Sequence, residues 1–142
     1  MKPTYSLLLA CLAFALAPAE AASQRAIAKL TTLQKTDTQV GSGRMATVGS
    51  TVSLHYAAWL YAPHGAHQRG TPVDSSVGAA PFTFKLGSGT AIKGWDEGVR
   101  GMRVGGKRTL AVPSAMGFGK AGRGSVPPGA SLVFDIELLE VK

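Results

Sequence analysis

Cysteine is nearly absent from this chain, because Cys11 is the only one among its 142 residues. A lone cysteine can form no disulfide within the chain, so the fold must be stabilised by its apolar core. Acidic residues are also few: eight Asp and Glu stand against fifteen Lys and Arg, which gives a formal net charge of +7. Long apolar runs are missing too, since none reaches the ~20 residues that span a bilayer. These absences exclude a disulfide scaffold and a membrane-spanning helix.

The N-terminus has the three-part pattern of a secretory signal peptide. Lys2 precedes an apolar run at residues 6–17 (SLLLACLAFALA), and the small residues PAEAA follow it. The pattern predicts that residues 1–22 are a signal peptide, with a small-x-small cleavage site at residues 19–21. We therefore expect an exported, periplasmic protein. Secretion and a lipid anchor at Cys11 are the alternatives.

The positive charge survives cleavage, because Lys2 and Glu20 are removed together. A basic surface can bind nucleic acid, but export argues against that partner. Anionic envelope surfaces or acidic client proteins fit an exported protein better, and a basic protein need have no charged partner at all.

After a polar lead-in or linker at residues 23–32, residues 33–142 have the pattern of one domain. In TVSLHYAAWL (51–60) the apolar side chains fall on alternate positions, which is typical of a half-buried strand. The same alternation occurs at 82–86, 108–112 and 132–138, with Arg108 at the solvent end of its strand. Turn-forming clusters separate these segments, among them residues 62–70 and 117–129. The pattern predicts an antiparallel sheet with one apolar face to cover.

The only good candidate for the cover is IKGWDEGVRGM, residues 92–102. Its apolar side chains recur at helical spacing, beginning with Ile92 and Trp95. Glycines are disfavoured in a helix interior, yet three occur here. Gly101 suits a left-handed C-cap, and Gly98 would let the helix approach the sheet closely. The chain is therefore predicted to be an α+β protein with one short helix.

Patterned catalytic groups are missing. There is no G-x-S-x-G, and no Ser, His and Asp set is placed by any spacing. His64 and His67 form an H-x-x-H pair, but it lies in a Gly- and Pro-containing segment without a third patterned ligand. The glycine-rich GKAGRG (119–124) lacks the GK[ST] ending of a phosphate-binding loop. We expect neither a metal nor another cofactor.

Four blocks in order closely resemble the FKBP-type peptidyl-prolyl cis-trans isomerases: VSLHYAAWL, VDSS, PFTFKLGSGTAIKGWDEGVRGMRVGGKRTLAVPSAMGFG and VPPGASLVFDIELL. The resemblance covers residues 33–142. It implies a strongly curved antiparallel β-sheet, or half-barrel, wrapped around one short α-helix. It also implies acceleration of X-Pro rotation in proline-containing polypeptides, by a non-covalent apolar pocket that assists the folding of exported proteins.

The resemblance also implies roles for particular positions. The residues that match the family's catalytic positions are Asp74, Ile92, Trp95 and Phe134. The matching substrate-binding residues are Tyr56, Val73, Phe82, Ala91, Phe118 and Val126. Trp95 is expected as the pocket floor and the Ile92 N–H as a donor to a substrate carbonyl.

Three departures from the family pattern concern this pocket. Phe118 stands where a ligand-binding tyrosine is usual, and Val73 replaces a phenylalanine. The segment SSVGAAPF is one residue shorter than usual and lacks the arginine that pairs with the pocket aspartate, so Asp74 needs another partner or is partly solvated. These changes imply reduced affinity for macrolide inhibitors. They also keep an alternative open, a weakly active, chaperone-like binding module. A monomer is expected in either case.

Overall fold

The computed structural model describes residues 30–142, so the predicted signal peptide and most of the lead-in lie outside the described residues. This part of the chain forms six strands and one α-helix. The strands are β1 (Gln34–Gln39), β2 (Thr51–Tyr61), β3 (Arg69–Ser75), β4 (Phe82–Lys85), β5 (Lys107–Val112) and β6 (Leu132–Val141). The helix α1 spans Lys93–Gly98, and short 3₁₀ turns occur at Ala66–Gln68 and Ser114–Met116.

The strands form one antiparallel sheet in the order β1-β5-β6-β2-β3, and β4 also pairs with β2. The last strand in sequence, β6, is therefore central, with β5 on one side and β2 on the other. The sheet is open and curved, and α1 packs against one face of it. This architecture confirms the predicted α+β fold.

The apolar side chains at alternate positions of the strands lie on the face of the sheet that packs against the helix. Val52 and Leu54 on β2 are fully buried, and so are Leu110 on β5 and Leu138 on β6. These side chains join Trp95 and Val99 in one apolar core. No helix within residues 30–142 is long and apolar enough to cross a membrane.

Strand β3 was not predicted, because most of its residues fall in or beside the segment that reads as a turn cluster and loop. Gly70 and Pro72 both weaken a strand pattern. The structure accommodates them at the edge of the sheet, where Pro72 pairs with Trp59 between two register shifts. A proline is tolerated at such an edge position, because its missing N–H interrupts no further ladder.

The helix is shorter than predicted. Its six residues begin after Ile92, which is the N-cap, and Val99 is the C-cap. Met102 is still buried, although residues 99–102 are no longer helical. Gly101 has the left-handed φ of 88°, but it lies two residues beyond the C-cap Val99 and is therefore not the predicted cap.

The glycines of α1 permit close packing on β5. A Cβ at Gly98 would lie 2.5 Å from Leu110 Cδ1, and a Cβ at Gly94 would lie 2.6 Å from Val112 Cγ1. Both distances are far inside van der Waals contact. The helix axis is therefore set at a distance from the sheet that an alanine at either position could not keep.

Replacing Gly98 by alanine tests this packing. The substitution should gain about 1 kcal/mol in helix propensity but lose about 1–3 kcal/mol to overpacking against Leu110. We expect a net loss of stability in urea unfolding. Leu110→Val frees space at the clash, so the double variant should be less destabilised than the sum of the single variants. Additive losses, or a more stable Gly98→Ala variant, would contradict the close approach.

Arg108 does not lie at the solvent end of its strand, contrary to the prediction. Its side chain is only 11 % exposed. Nη1 donates to the carbonyl oxygens of Gly98 at 2.7 Å and Arg100 at 3.1 Å, while Nε donates to Asp37 Oδ1 at 2.7 Å. One guanidinium thus connects the C-terminal end of α1 with strands β5 and β1.

Candidate active site

A cavity of about 650 Å³ opens beside α1, and we call it the aromatic cavity. It lies among the helix, strands β2 to β4, the end of β6 and the glycine-rich segment before β6. All ten residues to which the sequence resemblance gave a role line it: Tyr56, Val73, Asp74, Phe82, Ala91, Ile92, Trp95, Phe118, Val126 and Phe134. The fold thus gathers side chains that span 79 positions of sequence, from 56 to 134.

Trp95 lies at the centre of a cluster of aromatic rings. Its ring centroid is 5.0 Å from that of Tyr56, 5.3 Å from Phe134 and 5.4 Å from Phe82, all in edge-to-face geometry. Phe84 packs at 5.8 Å. Such pairs are worth about 0.5–1.5 kcal/mol each beyond their buried area. The indole is therefore held rigidly and is only 6 % exposed.

The N-terminus of α1 places a backbone donor on the wall of the aromatic cavity. The carbonyl of the N-cap residue Ile92 already accepts hydrogen bonds from the N–H groups of Trp95 and Asp96. The backbone hydrogen bonds of residues 30–142 include none donated by the Ile92 N–H. This N–H is thus available to a carbonyl oxygen that enters the cavity.

Asp96 fixes the loop that carries this wall. Asp96 lies in the first turn of α1, where a carboxylate complements the helix dipole. Its oxygens accept hydrogen bonds from the N–H groups of Gly87 at 2.9 Å and Gly89 at 3.2 Å. Asp96 is therefore a positioning residue for the segment that leads into Ile92.

Asp74 finds its partner in Tyr56 rather than in an arginine. The Tyr56 hydroxyl donates to Asp74 Oδ2 at 2.6 Å, and the Ser75 N–H donates to Oδ1 at 2.8 Å. None of the ion pairs in residues 30–142 includes Asp74. Burial, reinforced by the hydrogen bond and charge of Asp74, raises the pKa of Tyr56 to about 12.

This hydrogen bond predicts an unusual tyrosine titration. Tyr56 should lose its proton near pH 12 rather than 10, and Asp74→Asn should lower that pKa because the carboxylate charge is removed. The folded-state pKa lies above the unfolded value, so the stabilisation is complete below pH 10 and is lost as the pH rises towards 12. Ultraviolet absorbance of tyrosinate, with Tyr56→Phe subtracted, measures the pKa. Titration of Tyr56 near pH 10 in the wild type would contradict the assignment.

Sequence reasoning did not assign six further lining residues: Ala58, Thr90, Arg123, Gly124, Ser125 and Leu132. Ala58 and Leu132 could have been found, since each lies two positions from a predicted pocket residue on the same strand face. Arg123 belongs to a glycine-rich segment without periodicity, so no sequence signal placed it at the cavity.

The opposite face of the sheet has a second, smaller cavity of about 340 Å³. Its walls include Arg69, which forms an ion pair with Asp135, and Thr109, which donates to the same carboxylate at 2.9 Å. His64 and His67 join no group of three or more His, Cys, Asp or Glu side chains suited to a metal ion within residues 30–142. The apolar and aromatic walls make the aromatic cavity the better site for an uncharged ring.

A family model described as FKBP-type peptidyl-prolyl cis-trans isomerase matches residues 42–139. The chain belongs to this family. It is therefore a peptidyl-prolyl cis-trans isomerase of the FKBP class. The matched region contains β2 to β5, most of β6 and every one of the ten predicted site residues.

Individual relatives agree with the family assignment. An FK506-binding protein of Neisseria meningitidis serogroup A is 48 % identical over 107 residues, which are 74 % of this chain and 92 % of that protein. The peptidyl-prolyl cis-trans isomerase FKBP53 of Arabidopsis thaliana is 46 % identical over 102 residues, 71 % of this chain but only 20 % of that longer protein.

Solved structures show the same fold. The crystal structure of AtFKBP13 superposes with a TM-score of 0.68 at 33 % identity, covering 80 % of this chain and 96 % of that one. FkpA from Escherichia coli superposes with a TM-score of 0.66 at 32 % identity, covering 87 % of this chain and 57 % of that one.

Proposed function

We propose that this FKBP-type isomerase assists the folding of exported proteins by binding proline-containing segments in the aromatic cavity. The observation that carries the proposal is the buried indole of Trp95, enclosed by aromatic rings beside the free Ile92 N–H. A proline ring matches such a surface in shape and polarity, and the N–H can bind the neighbouring carbonyl.

The proposed mechanism is non-covalent. Rotation about an X-Pro bond meets a barrier of about 18–20 kcal/mol because the planar amide is stabilised by resonance. The twisted transition state loses that resonance, and its carbonyl oxygen carries less charge. A dry apolar cavity therefore disfavours the planar amide relative to the twisted one, and each ~1.4 kcal/mol of that difference accelerates rotation tenfold. No nucleophile or metal is needed for this step.

In this mechanism each wall has a distinct task. Trp95 is the floor on which the proline ring lies, while Tyr56, Phe82 and Phe134 exclude water from its sides. Ile92 donates its N–H and thereby orients the substrate. Asp74 holds the Tyr56 hydroxyl and so fixes the ring at the side of the floor.

An isomerisation assay on short X-Pro peptides tests this function. We expect the purified domain to accelerate cis-trans exchange and to accelerate refolding of a protein limited by proline isomerisation. A background rate at concentrations where the peptide is bound would instead favour the alternative, a binding module with little turnover. Val73 and Phe118 are the observations behind that alternative, because both line the cavity and reduce the contacts or hydrogen bonds it offers.

Because Phe118 has no hydroxyl, we expect weakened binding of macrolide inhibitors. The Neisseria relatives are named as proteins that bind FK506, which is a macrolide. Phe118→Tyr adds a hydroxyl to a wall of the cavity. One recovered hydrogen bond should tighten macrolide binding about two- to tenfold in a calorimetric titration. Phe118→Leu, which removes the ring and adds no hydroxyl, should not tighten it. Equal affinities of wild type and Phe118→Tyr would count against the proposed loss.

Export is proposed from residues 1–22 alone. The full chain expressed in a Gram-negative host should appear in the periplasmic fraction, with the mass of a chain that has lost its first 21 or 22 residues. Leu9→Arg, which interrupts the apolar run, should retain the uncleaved chain in the cytoplasm. Cys11→Ser tests the lipid-anchored alternative. If Cys11 carries a lipid anchor, the wild type is found in the membrane fraction and the variant is not. Without an anchor, the substitution leaves the distribution among the fractions unchanged. Light scattering of the mature chain tests the proposed monomer.

A further inference from the structure

Arg123 is the only positively charged side chain among those that line the aromatic cavity in the described part of the chain. The residue is exposed, and its guanidinium carbon lies 5.9 Å from the centre of the Phe118 ring. None of the three ion pairs formed within residues 30–142 includes it. An arginine beside the proposed proline site thus presents its charge to the solvent side of the cavity.

The backbone of Arg123 is firmly held. Its N–H donates to the Val126 carbonyl at 3.0 Å, and the Val126 N–H donates back to the Arg123 carbonyl at 2.9 Å. Val126 is only 8 % exposed. The neighbouring Ser125 hydroxyl donates to the Val73 carbonyl at 3.0 Å, which joins this segment to β3. The guanidinium therefore extends from a fixed point on the cavity wall.

The charge of Arg123 is not neutralised locally. Asp74 is the only carboxylate lining the described cavity, and its two oxygens already accept from Tyr56 and Ser75. The sequence of residues 117–131, GFGKAGRGSVPPGAS, contains Lys120 and Arg123 but no acidic residue. This side of the cavity is thus positive, and a client carboxylate would meet no competing ion pair there.

We propose that Arg123 is a specificity-determining residue that favours clients with an acidic residue directly beside the isomerised proline. The inference rests on the proposed role of the aromatic cavity as the client site and adds a substrate class to it. A planar guanidinium with several N–H donors binds a carboxylate through charge-assisted hydrogen bonds. The contact is partly solvated, so it acts on selectivity and depends on salt.

The test compares peptides that differ only beside the proline. One set carries Glu, Gln, Leu or Lys immediately before it, and a second set carries the same residues immediately after it. For the wild type, kcat/KM should be about two- to fivefold higher with Glu than with the isosteric Gln in at least one set. Raising the salt concentration from about 30 to about 300 mM should reduce that ratio, because the Debye length shortens.

Two variants separate a local contact from overall charge. Arg123→Gln should bring the Glu to Gln ratio to about one, and Arg123→Glu should invert it and favour Lys. Lys120→Gln removes the same charge from the same segment, but Lys120 does not line the cavity. It should retain the wild-type ratio.

Four results would contradict the proposed role of Arg123. The proposal is overturned if the wild type does not favour Glu over Gln, if Arg123→Gln leaves the ratio unchanged, if it lowers all peptides equally, or if Lys120→Gln changes the ratio as much. The Leu-Pro peptide reports isomerase activity independently of charge. If turnover is slow, tryptophan fluorescence measures the dissociation constants of the Glu and Gln peptides, and their ratio replaces the ratio of kcat/KM. A protein that binds selectively without turnover is thereby distinguished from one that turns over without selectivity.

Discussion

Trp95→Leu should lower kcat/KM for an X-Pro peptide about 30-fold or more. Trp95 is only 6 % exposed, and the centroids of four aromatic rings lie within 5.8 Å of its own ring centroid. Truncation of an aromatic side chain at the centre of a binding site typically costs about 2 kcal/mol or more of binding free energy. A loss of that size in the transition state lowers kcat/KM about 30-fold. Leucine keeps an apolar floor but offers neither the flat surface nor the edge-to-face contacts.

Trp59→Leu is the matched control. Trp59 is the other tryptophan of the described chain, lies on β2 beneath the Arg69 guanidinium at 4.8 Å, and does not line the aromatic cavity. Its variant should keep the wild-type kcat/KM. Urea unfolding of both variants establishes that the assay compares folded proteins. Equal losses of activity in the two variants, or none in Trp95→Leu, would refute the assignment of Trp95 as the floor.

Arg108→Met should destabilise the domain by about 2–3 kcal/mol. Methionine preserves much of the apolar stem but leaves the Gly98 and Arg100 carbonyls without the donors that the guanidinium supplies. Gly98 is buried, and a buried acceptor that loses its partner costs about 1–3 kcal/mol, whereas Arg100 is exposed and its carbonyl can bind water instead. The midpoint of urea unfolding should fall with little change in its slope, because the native contacts and not the surface exposed on unfolding are altered.

Removing the ion pair between Arg108 and Asp37 alone separates its contribution to stability from that of the hydrogen bonds to the Gly98 and Arg100 carbonyls. Asp37 is 46 % exposed and accepts from Arg108 Nε at 2.7 Å. An exposed ion pair is worth at most about 1 kcal/mol, so Asp37→Asn should cost much less than Arg108→Met. Equal losses in the two variants would show that the ion pair, and not the hydrogen bonds to the end of α1, carries the stability.

The sequence predicted the strands that alternate regularly and the class of the fold. Val52, Leu54 and Tyr56 share a face because side chains alternate along a strand, whatever the neighbouring strand is. Strand β3 was missed because Gly70 and Pro72 are tolerated only through its edge position and its irregular pairing with β2. That tolerance is a tertiary property, and no local pattern expresses it.

The site divides in the same way. The ten residues placed by family resemblance all line the aromatic cavity, whereas Arg123 and the fastening of Asp96 to Gly87 and Gly89 were not foreseen. Arg108 was misplaced for a related reason. Alternation identifies the face of β5 to which it belongs, but the carbonyls that it reaches, those of Gly98 and Arg100, lie eight to ten residues earlier, at the end of α1 and just beyond it. Long polar side chains choose partners in three dimensions, and alternation predicts only the face.

The central position of β6 has a consequence for when the enzyme becomes active. Residues 132–141 follow every strand in sequence, yet β5 and β2 are joined only through them. A six-residue helix is too short to persist in water by itself, so α1 cannot hold Trp95 in place beforehand. A chain synthesised from its N-terminus can pair β1 with β5, and β2 with β3 and β4, but these two groups of strands stay separate until β6 emerges. The aromatic cavity, which needs Phe134 on β6, is therefore completed only by the last strand.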